Sequence, residues 1–153
     1  MLWVKTFFGI LFQTALLGIF LYLPALTLNW AEALLFLSIH FLITILASAY
    51  LLIVKPASIE ARLNYDSEAQ PKEDRLATVL MLSAIVVGLS LAPIDIFHLN
   101  LSSTFEGNIK SIGLGLYFIG MLLFMASMNA NEFAETTVNI QEERGQKVID
   151  TGI

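Results

Sequence analysis

Few residues of this chain could carry chemistry, and their surroundings narrow what that chemistry is. His40 lies within 33–54, a stretch with no Asp, Glu, Lys or Arg, and His98 follows Asp95 by three residues just after another, 76–94. An ionisable group inside an apolar span is expensive and is by default a functional candidate. His40 could relay a proton or ligate haem or a metal; it could equally be a neutral histidine hydrogen-bonded to a neighbouring helix. With 2 histidines and no cysteine, a metal or haem site has few ligands to draw on, so the helix-bonding reading is preferred. Asp95-x-x-His98 could be a ligand pair, but capping a helix end suits its position better. Gln13, Thr14, Thr44 and Ser48 read as interhelical hydrogen-bond formers. No phosphate-cradling glycine loop, zinc-ligand pair on one helix face or nucleophile elbow is present. The spacing assigns no catalytic residue and no metal site.

The elements that hold these residues follow from where charge is missing. The chain has 153 residues, 57% of them hydrophobic and 14% charged, whereas a soluble domain carries about 25% charged residues. The 8 basic and 13 acidic residues avoid 6–28, 33–54, 76–94 and 111–131 altogether. A soluble helix needs a wet face, and these segments have none. Each is close to the roughly 20 apolar residues that cross a bilayer. The first is too long for the apolar core of a signal peptide and lacks a small-x-small cleavage site. The expectation is an all-α polytopic membrane protein: four transmembrane helices in 1–131, then an interfacial helix or extended tail over 132–153. Soluble enzymes, nucleic-acid binders, disordered tails and disulfide-stapled domains are excluded.

Net charge is −5, but only Lys and Arg near the spans set orientation. Lys5 precedes span one; Lys55, Arg62, Lys72 and Arg75 lie between spans two and three; Arg144 and Lys147 lie in the tail. The opposite side holds only Lys110. Both termini and the long second connection are therefore expected in the cytoplasm. The short first connection, 29–32, makes spans one and two an antiparallel hairpin, with Trp3 and Trp30 in the interface belts and Pro24 able to kink span one. Between Pro56 and Pro71, 58–63 has the makings of a short interfacial helix. Ala84, Gly88 and Ala92 form a small-residue stripe on span three, and Gly113, Gly120 and Ser127 form one on span four. Such stripes let helices approach closely and suggest a compact bundle, with a homo-oligomer as a further use. In the tail, a short helix is expected to stop at Gly145, with an extended segment beyond.

The end of the chain carries a pattern. Asn129-Ala130-Asn131-Glu132-Phe133 is followed by Thr137-Val138-Asn139-Ile140-Gln141-Glu142-Glu143-Arg144-Gly145-Gln146-Lys147-Val148-Ile149 and by Thr151-Gly152. It resembles the isoprenylcysteine carboxyl methyltransferase family, integral-membrane S-adenosylmethionine-dependent enzymes with relatives acting on phospholipid head groups. That family shows Asn-x-Phe-Phe, Ile-Gln-x-x-Arg-Gly-His-x-Val-Val, Thr-Gly-Pro-Tyr and then Arg-His-Pro-x-Tyr. Weaker likenesses run upstream: Leu28-Asn29-Trp30-Ala31-Glu32-Ala33 to its first connection, and Lys55-Pro56 through Glu60-Ala61-Arg62-Leu63 to its Asn-Pro-x-x-x-x-x-Arg connection. A third joins Leu91-Ala92-Pro93-Ile94-Asp95 to the end of its third span. Gln146 stands where many members have histidine and Ile153 where they have proline. The Arg-His-Pro-x-Tyr motif is not reached.

The resemblance implies S-adenosylmethionine as cofactor, with Gln146, Lys147, Val148 and Ile149 running beside it largely through main-chain contacts. It implies a lipophilic methyl acceptor held in the bilayer, such as a prenylcysteine carboxylate or a lipid head group. It also implies that these 153 residues alone are inactive, because the missing motif completes the pocket. Two other readings stand beside it. A small four-span transporter would need a membrane-embedded carboxylate, and only Glu32 and Asp95 come near, at span edges. A structural or assembly subunit would need no more than the small-residue stripes.

Overall fold

The computed structural model describes residues 1–63, 72–101 and 107–130, and those residues are helical apart from short connections. The elements are α1 (Leu2–Ala25), α2 (Ala31–Val54), α3 (Pro56–Leu63), α4 (Lys72–Ile94), a π-helical turn (Asp95–Leu99) and α5 (Gly107–Ala130). Of these, α1, α2, α4 with its π turn, and α5 are long and apolar enough to cross a membrane. The all-α, four-span expectation is met, and an integral multi-pass membrane protein is the fold that such helices make. The expected tail helix and the Gly145 stop lie outside the described residues.

Local chemistry explains the ends. In α1, Pro24 has no N–H to offer the carbonyl four residues back. Two residues later Leu26 takes a left-handed φ of 54° and closes the helix with its N–H on Leu23 O. The α3 helix starts at Pro56, two residues earlier than 58–63, because proline suits the first helical position, where its missing N–H is not needed. In α4 the buried Pro93 interrupts the hydrogen-bond ladder. The chain then continues in π register, Asn100 N donating to Asp95 O at 2.7 Å. Proline and π-bulges are the usual causes of such local breaks.

Contacts fix how the spans run. Leu51, Leu52, Ile59 and Met128 form a buried cluster on which Leu2 packs. The start of α1, the end of α2, α3 and the end of α5 therefore share one end of the molecule. At the other end the His98 ring reaches Pro24 O, and the Trp30 ring meets both Tyr22 and Phe97. Glu32 pairs with Lys110, His40 with Tyr117, and Leu51 and Leu52 with Met128, so α2 and α5 run parallel in a steady register.

The spans stand in the neighbour order α4–α1–α2–α5. The α1 helix packs against both α2 and α4, whereas few Cα atoms of α5 come within 8 Å of another helix. Side chains alone hold α5 in place. The small-residue stripes are not the seams of a compact bundle: Ala84, Ala92 and Ser127 face outward, and Gly88, Gly113 and Gly120 have nothing within 4 Å of an added Cβ. Close packing falls instead at α1 and α2, where Ala25, Ala33 and Ala47 are buried and Gly18 faces Leu37. Small residues permit close approach; they do not compel it.

Candidate functional site

The α3 end of the molecule brings together the groups best suited to an anionic ligand. Ser58 and Arg62 are one turn apart on α3 and so share a face. Ser58 is fully buried, and its Oγ has no hydrogen-bond partner among the described residues. The Arg62 guanidinium lies over the Phe124 ring at 4.9 Å from the centroid, a cation–π arrangement that holds the planar group flat. Its Nε is buried and has no hydrogen-bond partner among the described residues. Burial holds the Arg62 guanidinium below its ordinary pKa, yet arginine stays charged at any physiological pH. The partly buried Arg62 cation, beside the end of α5, is the group here best suited to a carboxylate or phosphate, whereas Ser58 is closed off inside the packing.

Inside the membrane-spanning region, His40 is only 7% exposed, and its Nδ1 lies 2.7 Å from the Tyr117 hydroxyl on α5. The Phe36 ring meets Tyr117 edge-on at 5.3 Å. The helix-bonding reading of His40 is what the geometry provides. Thr14 and Thr44 depart from their expected role, for neither buried hydroxyl has a hydrogen-bond partner. A helical threonine hydroxyl can instead turn to the carbonyl four residues back, as Thr6 does with Leu2 O at 3.0 Å. Gln13 faces outward on α1.

At the far end, Asp95 and His98 act as caps. An Asp95 carboxylate oxygen accepts the Leu101 N–H at 2.8 Å. His98 Nε2 lies 2.7 Å from Pro24 O, a carbonyl that α1 itself cannot satisfy so close to its end. The two residues serve different helices, so they are not a ligand pair. Among the described residues no group of three His, Cys, Asp or Glu could hold a metal ion. An open, mostly apolar groove runs along α1 from Ala15 to Leu28; Tyr22, on its wall, spends its hydroxyl on Trp30 O.

The four residues expected beside the cofactor, Gln146, Lys147, Val148 and Ile149, lie outside the described residues. The structure does place their point of departure, since α5 ends at Ala130, at the end that holds Arg62 and Ser58. Sequence reasoning noted Arg62 as a charge in the second connection and within a weak likeness, and gave no role to Ser58, Phe124 or Tyr117. Tyr117 had a signal: it is a polar aromatic inside span four, where a hydroxyl needs a partner. Phe124 had none, because one more phenylalanine in an apolar span is unremarked. No family model, no curated protein and no solved structure matches the chain.

Proposed function

We propose that this chain belongs to a membrane-embedded S-adenosylmethionine-dependent methyltransferase that acts on a lipophilic acceptor. A prenylcysteine carboxylate and a lipid head group are the two acceptor classes that fit. One observation carries the reading: Arg62, seated on Phe124, lies near the end of α5, from which the chain runs on into the methyltransferase-like segment. The seven-to-one Lys and Arg asymmetry favours a cytoplasmic position for that end, the side from which a water-soluble cofactor arrives.

The donor set suits the group. S-Adenosylmethionine carries a carboxylate, and a partly buried guanidinium such as that of Arg62 is the kind of partner that a carboxylate takes. When bound, the cofactor supplies a methyl group activated on a sulfonium. This chain's residues contribute position and desolvation: Arg62 binds an anionic group, the apolar spans keep the acceptor's tail in lipid, and 146–149 lines the cofactor. Holding the reactants in line and excluding water is the main demand of such a displacement.

The test is transfer of a radiolabelled methyl group in membranes from cells expressing the natural gene. Label passing from S-adenosylmethionine to a prenylcysteine or lipid acceptor, and falling about tenfold or more in Arg62→Ala, supports the reading. Absence of transfer to either class, with the protein present and folded, opposes it. The outward-facing small-residue stripes favour a second reading, an assembly subunit without catalysis; co-purification of a fixed partner without cofactor binding would select it.

A further inference from the structure

We propose that Arg62 and Phe124 form a docking site for the phosphate of a membrane phospholipid, one of whose acyl chains lies below it along α5. The site stands without the methyltransferase reading; on that reading, the lipid phosphate holds Arg62 until the cofactor's carboxylate takes its place.

Neighbours fix the level of Arg62. Ile59 packs with Leu51, Leu52 and Met128, and Leu2 rests on that cluster. Three residues on, the Arg62 guanidinium lies over Phe124, one turn of α5 before Met128. Leu63 then stands beside Gly9, 3.8 Å from where an added Cβ would be. Phe124 is about 6 Å further in than Met128, and Gly9 about 10 Å further in than Leu2. The α3 helix therefore slopes inward. It carries the guanidinium level with Thr6 of α1, where the charge-free stretch 6–28 begins. At that boundary hydrocarbon gives way to lipid head groups.

A guanidinium at the edge of hydrocarbon is costly until an anion meets it. Among the described residues no carboxylate does so. Glu60 is exposed and two positions away on α3, a spacing at which side chains do not face each other. Glu32 pairs with Lys110 at the opposite end, where Asp95 also caps its turn. Nε is the buried nitrogen of Arg62, which leaves the paired Nη groups as the edge a ligand can meet. Such an edge matches two oxygens of a phosphate.

The site opens sideways to lipid. Phe124, under the guanidinium, is 47% exposed, and Arg62 itself is only partly buried. One turn further in on the same face of α5 is Gly120, where an added Cβ would meet nothing within 4 Å. One turn beyond that is Leu116, itself exposed. Together they make a shallow apolar trough beneath the cation. Of the anions that reach this level, a phospholipid phosphate is the one that arrives with a chain to fill the trough. Lys5 and Lys55 lie at the same end, so an anionic lipid is favoured over a zwitterionic one.

The experiment uses the full chain in phosphatidylcholine nanodiscs doped with a phosphatidylglycerol whose acyl chain carries a diazirine. After irradiation, the labelled peptides are mapped. The expected result is saturable labelling of 116–124, competed away by unlabelled phosphatidylglycerol and reduced about fivefold in Arg62→Gln. Millimolar inorganic phosphate should leave the labelling unchanged; displacement by it would assign the site to a soluble phosphate and overturn the proposal. Label spread evenly over the four spans, or unchanged in Arg62→Gln, also overturns it. Should Arg62→Gln fail to fold, Phe124→Leu decides: it removes the ring under the guanidinium, and unchanged labelling there is equally contrary. No arm contains S-adenosylmethionine, so the lipid site and the methyltransferase reading fail separately.

Discussion

His40 on α2 and Tyr117 on α5 share a 2.7 Å hydrogen bond in the middle of the membrane-spanning region. It links two helices whose backbones otherwise stand apart. The same two helices are joined near one end by Glu32 and Lys110, at 3.4 Å, and at the other by Met128 against Leu51 and Leu52. The exposed ion pair contributes little, so the His40–Tyr117 bond and the Met128 cluster set the α5 position.

Tyr117→Phe removes the hydroxyl and keeps the ring. Interhelical hydrogen bonds in membranes average about 0.6 kcal/mol and reach about 1.7. The variant is expected to lose about 1 kcal/mol in reversible unfolding from mixed micelles. A double-mutant cycle with His40→Leu should show coupling of similar size; additive losses would mean that the bond does not form.

Met128 is 2% exposed and fills the cluster at the α3 end. Met128→Ala should cost about 2 to 3 kcal/mol through lost contacts and the cavity left behind. The same unfolding measurement checks it. A loss below about 0.5 kcal/mol would mean that α5 is not seated there.

His98→Ala leaves the Pro24 carbonyl without its donor. Amide hydrogen exchange at the last turn of α1 is expected to quicken, since the turn then lacks its cross-helix cap, while the centre of α1 keeps its protection. Uniform quickening along α1 would point to a global effect instead.

The chain has no cysteine, so single cysteines report topology without background. Lys55→Cys is expected to react with a membrane-impermeant maleimide only from the cytoplasmic side, and Lys110→Cys only from the other. Labelling of both from one side would contradict the alternating path of the spans.

The four spans were legible because a bilayer imposes a strong constraint: residues 33–54 could be read as a helix from the absence of charge alone. The caps at Asp95 and His98 were legible as a kind, since polar residues at a span's end have little else to do. The Pro24 partner of His98 was not, because pairing across 74 residues is set by packing that no local pattern encodes. The small-residue stripes misled for a related reason. Gly88 and Gly113 permit a close neighbour, but whether one arrives depends on the other helices. Arg62 could be read as a charge in a connection; its seat on Phe124 could not, because that contact joins α3 to a helix more than sixty positions on.

The central claim is that the α3 end of this protein receives S-adenosylmethionine. Direct ultraviolet cross-linking of methyl-labelled S-adenosylmethionine to the naturally expressed protein in its membrane, followed by peptide mapping, tests it most directly. The account predicts label in the peptide containing Gln146–Ile149, competed away by S-adenosylhomocysteine and reduced in Arg62→Ala. Label that the competitor does not displace, or that falls only on the opposite end near Trp30 and His98, would contradict it.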